Sequence, residues 1–230
     1  MSETILYVED ISKRYNLSRS GSISGDLSKW ISSIKYPKSN PDFWALQNIN
    51  FKLNQGDRLC VTGDNGAGKS TLLKILSKIT IPTSGKIYGK GKITSMLEVG
   101  TGFHPELNGI ENVFLNGAML GMTKRDIQIK LDEIIDFAQL GDHVNTPVKR
   151  YSSGMYMRLA FATAATLHSE IMIMDEVLAV GDQNFREKCI AKLHELSNNF
   201  GKTIILVSHD KANRISLCNK EIILSKGKMI

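Results

Sequence analysis

"RLCVTGDNGAGKSTLLKILSKI", residues 58 to 79, decides the fold. It opens on "RLCVTG", a short apolar run of the kind that forms a buried strand. From Ser70 onward its leucines and isoleucines fall at helical spacing. Between the two lies "GDNGAGKS" (63–70), a match to G-x-x-x-x-G-K-[ST]. Gly63, Gly66 and Gly68 permit a tight turn and let backbone N–H groups approach phosphate oxygens without Cβ clashes. Lys69 would reach the β- and γ-phosphates and the Ser70 hydroxyl would ligate Mg²⁺. Asp64, Asn65, Ala67 and Thr71 complete the expected phosphate-binding turn. The competing reading is a plain glycine turn before a helix. From average residue usage, a chance match somewhere in such a chain arises in about 1% of cases, and the strand–loop–helix context lowers that further.

A phosphate loop of this type needs a carboxylate from a second strand to hold its metal. "IMIMDE" (171–176) supplies one 106 residues beyond Lys69. Four apolar residues deliver Asp175 and Glu176 to the same edge of the sheet. Asp175 would hold Mg²⁺ through water, and Glu176 could polarise an attacking water as general base. Alone, an acid pair after an apolar run says little, because strands often end in acids; beside the glycine loop it completes a site. His209, at the end of "IILVS", stands where a third strand would aim it at the γ-phosphate. A further anion site is suggested by "RYSSGMYMRLAF" (150–161). Ser152, Ser153 and Gly154 could simply cap a core helix, yet free N–H groups and the positive dipole end also converge there.

Strands and helices interleave around these motifs. "ILYVE" (5–9) reads as a strand followed by a polar turn to Tyr15. Residues 16–42 are rich in Ser, Gly and Lys and read as an inserted segment. Within it "LSKWISSIKY" places Leu27, Trp30, Ile31 and Ile34 on one helical face. Its lysines and aromatics suit a membrane interface or a partner-contacting surface, with a helix packed on its own domain as the equal alternative. "FWALQNINFKL" (43–53) alternates as a strand, and "GKIYGKGKITSML" suggests a strand pair with glycine turns. "IENVFLNGAMLG" and "TKRDIQIKLDEIIDFAQL" are helical, the second opening on a Thr123–Asp126 capping box. "NFREKCIAKLHELSNNF" is a helix between the apolar strands "EIMIMDE" and "KTIILVSHD". The alternation predicts one α/β domain over residues 1–230, with a mostly parallel central sheet and no internal repeat.

Composition sets the outer limits. Apolar residues make up 42% and charged residues 23%, ordinary for a soluble globular protein. No apolar run reaches the 18 or so residues that span a bilayer. "MSETILYVED" lacks the basic-then-apolar layout of a secretory signal, so a cytoplasmic protein is expected. A net charge of +6 would admit a polyanionic partner, but Lys and Arg are spread without a dense tract. Cys60, Cys189 and Cys218 are odd in number with no metal-ligand spacing, and are read as buried free thiols.

In this order the motifs resemble the nucleotide-binding domain of ATP-binding cassette (ABC) transporters, over nearly the whole chain. The resemblance implies a P-loop ATPase fold with an N-terminal antiparallel β subdomain and a helical subdomain at about 99–165. The LSGGQ signature of that family precedes the acidic strand, and "YSSGM" (151–155) occupies its place. Ser152 and Gly154 match, Ser153 stands for a Gly and Met155 for the Gln. The motif would close on ATP held by a second copy, which implies a homodimer. Tyr15 matches the aromatic that stacks on adenine, although the insertion after it makes Phe43 or Trp44 substitutes. "LAVGD" resembles the loop after the catalytic Glu and puts Asp182 at the dimer interface. His209 matches the γ-phosphate switch. Glu98 takes the place of the Gln that senses Mg²⁺; a carboxylate can still bind metal-bound water but donates no hydrogen bond.

"LEVGTGFHPELNGIENVFLNGAMLGM", the Ser-Ser-Gly-Met variant and the insertion ahead of "FWAL" look like the subgroup that exports lipid-linked polysaccharide, O-antigen or teichoic acid. That implies an ATPase at the cytoplasmic face of the plasma membrane, held there by a separate permease, with ATP and Mg²⁺ and no nucleic acid. No residue marks a sugar contact. Two alternatives stay open: an exporter ATPase for a drug or small lipid, and a soluble ABC ATPase working on ribosomes or DNA. The latter usually carry two cassettes or a long coiled-coil insertion, neither of which is found here.

Overall fold

The computed structural model describes residues 3–16, 42–96, 102–166, 169–175, 182–208 and 211–230. Twelve residues of β1 (Thr4–Tyr15) and twelve of β2 (Phe43–Asn54) run antiparallel. β4 (Ser84–Gly89) pairs with the other side of β1, giving a three-stranded sheet of order β2-β1-β4. β1 is longer than the sequence suggests. Asp10 adopts a positive φ of 48° at an irregularity in the pairing, and the strand resumes through the polar residues up to Tyr15. What reads as a turn is a bulge.

The second sheet has the order β5-β6-β7-β3-β8-β9. β3 (Arg58–Gly63), β5 (Ile93–Met96), β6 (Ile171–Asp175), β7 (Thr203–Val207) and β8 (Lys220–Ser225) run parallel, and β9 (Lys228–Met229) turns back on β8. β4 and β5, expected as a pair, therefore belong to different sheets. Gly89 to Lys92 carry the chain from one to the other.

Alternation along the parallel strands sorts the core into two layers. Leu59, Val61, Ile171, Ile173, Ile205 and Val207 face the antiparallel sheet and α1 (Lys69–Leu76), where Leu72, Leu73 and Leu76 meet Leu6, Val8, Leu46 and Ile49. Cys60, Met172, Met174, Ile204 and Leu206 face the opposite way. There they meet Phe161 of α4 (Ser153–Ala165), Phe185, Cys189 and Leu193 of α5 (Gln183–Phe200), and Leu217 of α6 (Lys211–Leu217). Burial on both faces is why these strands read as unbroken apolar runs.

A third cluster forms the helical part. Val113 of α2 (Gly109–Met119), Ile127 and Ile134 of α3 (Lys124–Ala138) and Leu159 of α4 pack with Phe103. Both bonds of the predicted Thr123–Asp126 capping box are made, at 3.2 Å each. Asn108 and Glu111 form a second, unforeseen box at the start of α2. No helix among the described residues is long and apolar enough to cross a membrane.

One expectation fails at the cysteines. Cys60 and Cys218 are joined in a disulfide across 158 residues of sequence, and only Cys189 is a free, buried thiol. β3 lies next to β8, and Cys218 sits just ahead of β8, so sheet order brings together two residues that no spacing rule connects.

Candidate functional site

The loop Gly63–Gly68 joins the carboxyl end of β3 to α1. φ is 137° at Gly63, 79° at Gly66 and 107° at Gly68, the region that side chains avoid. A Cβ on Gly63 would lie 2.1 Å from the Leu224 carbonyl oxygen, and one on Gly68 would lie 2.5 Å from that of Ala45. Gly66 instead has nothing within 4 Å among the described residues, so its glycine keeps the loop's open side clear. Gly227, in the β8–β9 turn, braces the loop from behind. Its N–H donates to Ala67 O at 3.0 Å, while its own carbonyl accepts from Gln47 N at 2.7 Å.

A cavity of about 540 Å³ opens above this loop, lined by Asn65, Gly66, Gly68, Lys69, Ser70 and Thr71 with Phe43, Ala45, Asp175 and Val207. Lys69 is buried, and its Nζ donates to the carbonyls of Gly63 at 2.7 Å and Asp64 at 2.9 Å. The first turn of α1 carries no acid, so its positive dipole end is uncompensated within the helix. Asp175 closes β6 on the same rim, two strands from β3 with β7 between them, a backbone separation of about 10 Å. A glycine cradle, a helix N-terminus, a lysine, a serine hydroxyl and a carboxylate across the cavity are the donor set a nucleoside triphosphate and its Mg²⁺ require. The residues fit that ligand.

Phe43 is on the cavity wall; Tyr15, expected there, is its cross-strand partner and is not a lining residue. The Tyr15 ring carries Lys13 Nζ at 5.1 Å and the Trp44 ring carries the Arg14 guanidinium at 5.7 Å. Of the three candidate aromatics, Phe43 alone borders the cavity and lacks a cation on its ring among these contacts. Glu98, Glu176 and His209, and the helix expected at 27–36, lie outside the described residues.

Ser152 caps α4, its Oγ accepting from Met155 N at 3.2 Å. Ser153 is the first helical residue and is exposed, and no acid lies in the first turn. Gly154 has ordinary helical backbone, and a Cβ there would meet only Ser152 Oγ, at 3.9 Å. Nothing among the described residues needs a glycine at that position. None of residues 152–155 lines the cavity.

Asp182 caps α5 through a 2.8 Å bond from Phe185 N, and its other oxygen pairs with the Arg158 guanidinium of α4. The Phe185 N–H and Arg158 together hold the Asp182 carboxyl below its usual range. Arg158 also lies 5.0 Å from the Phe185 ring. This clamp joins the helix of the serine-glycine motif to the helix after the acidic strand. Sequence reading missed Arg158, although a lone charge in the otherwise apolar run "MRLAFATAA" was its mark.

The comparisons agree with this geometry. The ABC transporter family model matches residues 46–179. AbcA, an ABC transporter protein of Aeromonas salmonicida, is 40% identical over all of this chain, which covers 73% of AbcA. The O-antigen export ATP-binding protein RfbB of Myxococcus xanthus is 44% identical over 80% of this chain, and the teichoic acids export ATP-binding protein TagH of Bacillus cereus is 40% identical over 81%. Those alignments cover 42% and 34% of the two relatives, so both are much longer proteins. A dimeric ATP-binding cassette, MJ0796, solved after hydrolysis with ADP and Pi, superposes with a TM-score of 0.78 at 22% identity, over 98% of this chain and 96% of its own. That likeness speaks for the fold alone. With the phosphate loop and the acid-tipped strand inside a matched segment that spans more than half of the sequence, this chain belongs to the ABC transporter family.

Proposed function

We propose that this chain is the ATP-hydrolysing subunit of an exporter that moves lipid-linked polysaccharide, of O-antigen or teichoic-acid type, across the plasma membrane. The observation that carries the hydrolytic part is the cavity shared by the Gly63–Thr71 loop and Asp175. The substrate class rests on what the names of the relatives in Myxococcus and Bacillus say of those proteins.

Each residue then has a task. Lys69 exchanges its two carbonyl partners for phosphate oxygens, and the N–H groups of the loop and of α1 surround the phosphates. Ser70 and Asp175 would hold Mg²⁺, which neutralises charge developing on the phosphates. Phe43 offers the base a flat apolar face. Glu176 would polarise the attacking water and His209 would sense the γ-phosphate. Ser152–Met155 complete the site of a second copy, a reading supported by a helix start without acids and a glycine with free space in front of it. A homodimer sandwiching two nucleotides, docked on a separate permease at the cytoplasmic face, follows from that reading. Glu98 would watch the metal from the segment between β5 and α2.

Deleting the gene in its source cell tests the whole proposal. Lipid-linked glycan should accumulate inside and surface glycan should be lost, with rescue by the wild-type gene but not by Glu176→Gln. Unchanged surface glycan in a cell with no second exporter would refute the substrate and leave the ATPase to be judged by hydrolysis in vitro.

A further inference from the structure

Outside the nucleotide site, the disulfide between Cys60 and Cys218 has no task in hydrolysis. It forms part of the wall of a separate cavity of about 340 Å³, together with Arg214, Ile215, Asn219, Lys220 and Glu221. The two sulfurs are not equivalent. Cys60 is fully buried in the middle of β3, whereas Cys218 is half-buried just past the end of α6. Arg214 Nη1 pairs with Glu221 at 2.7 Å and Lys220 pairs with Asp57 at 2.7 Å. Arg214 Nε, by contrast, is buried and has no acceptor among the described residues. The wall of the cavity thus offers a reactive bond beside the cationic side chains of Arg214 and Lys220.

We propose that this cavity is a thiol–disulfide exchange site, in which a small thiol bearing a carboxylate attacks Cys218 and forms a mixed disulfide there. The incoming thiolate bonds to Cys218 Sγ, the Cys60–Cys218 bond breaks, and Cys60 leaves as a thiolate that takes up a proton. A second thiolate attacking the outer sulfur would release the symmetrical small-molecule disulfide and leave both cysteines as thiols. Atoms and electrons balance in each step, with the thiol as the reductant. Two factors choose the attacked sulfur and they oppose each other. Arg214 and Lys220 would make Cys218 the better leaving group, which favours attack on Cys60. Attack requires a third sulfur in line with the bond, however, and Cys60 is inaccessible; access decides for Cys218. The carboxylate of the thiol would face the positive charge of Arg214 and Lys220 on the same wall.

The fold is built to survive the scission. Arg58 Nε donates to Leu217 O at 2.6 Å, Asn219 N donates to Arg58 O at 3.0 Å, and β3 is paired with both β7 and β8. What exchange releases is the covalent tether on the C-terminal end of α6, not the strand that leads into the phosphate loop. Nothing in this assignment depends on what the protein transports.

The test uses the whole protein purified without reductant and reduced glutathione as the probe, with acid quenching, alkylation and peptide mass mapping. Before the thiol is added, Cys60 and Cys218 should resist alkylation in denaturant; if both are alkylated, the bond is absent and the proposal falls. After addition, glutathione should appear on Cys218, with Cys60 newly alkylatable on unfolding. Cys189 serves as an internal control, since burial pushes its thiol up to about 12 and keeps it unreactive. Glutathione on Cys60, or no adduct and no new thiol, would overturn the proposal. Arg214→Gln should slow the reaction with glutathione about fivefold more than it slows that with 2-mercaptoethanol. Equal rates for wild type and variant with glutathione would refute the carboxylate contact.

Discussion

Lys69 Nζ donates to two carbonyls of its own loop, at 2.7 and 2.9 Å. Phosphate therefore competes with an existing pair of hydrogen bonds, and the stronger charge-assisted bond decides the outcome. Lys69→Ala should weaken ATP binding roughly 10- to 100-fold, the worth of one hydrogen bond to a charged group. Calorimetric titration checks this, and an unchanged affinity would remove Lys69 from the site. At the base, Phe43→Ala should weaken binding about fivefold through loss of a stacking face, while Tyr15→Ala should leave it nearly unaltered. The reverse ranking in the same titration would return the adenine platform to Tyr15. That distinction was not legible in the sequence: Tyr15 and Phe43 are cross-strand partners, and only the pairing register shows which ring borders the cavity. The glycines were legible, because each answers a local demand of φ or of a nearby carbonyl.

Helix α4 carries the most informative glycine at the level of elements. Gly154 has helical dihedrals and room for a methyl group, so its own fold gains from a substitution. Gly154→Ala should keep or raise thermal stability, by up to about 1 kcal/mol from helix propensity. If a second copy brings its nucleotide against this turn, the same change should depress ATP hydrolysis. Stability and activity would then move in opposite directions, and an active, stabilised variant would argue that the serine-glycine turn is only a cap. Strands β3, β6 and β7 were readable because burial on both faces leaves an apolar run that nothing else explains. β4 and β5 were misread as partners because pairing is a property of the folded chain; "YGKGK" bends the chain equally well into a hairpin or from one sheet to another. The cysteine bond was hidden for the same reason, since adjacency of β3 and β8 precedes it.

Across the whole molecule, chemistry gathers at the carboxyl edge of the parallel sheet, and the opposite edge holds a charge at a cost. Lys202, just before β7, is buried, and burial with the nearby Lys192 brings its ammonium down to about 8 from 10.5. With the folded value below the unfolded one, the penalty is complete below pH 8 and vanishes as pH rises to 10.5. Lys202→Met should accordingly stabilise the protein at pH 7, by at most about 3 kcal/mol. Denaturant titrations should find that advantage fading between pH 8 and 10.5, and a pH-independent difference would assign it to packing instead. The brace of Gly227 on Ala67 bears on how the protein is made. The loop at 63–70 leaves the ribosome well before its support, which follows 160 residues after Ala67, roughly 8–30 s later at ordinary elongation rates. A nascent chain thus holds the phosphate loop long before it can hold ATP, and nucleotide capture becomes a report that synthesis has passed β8 and β9.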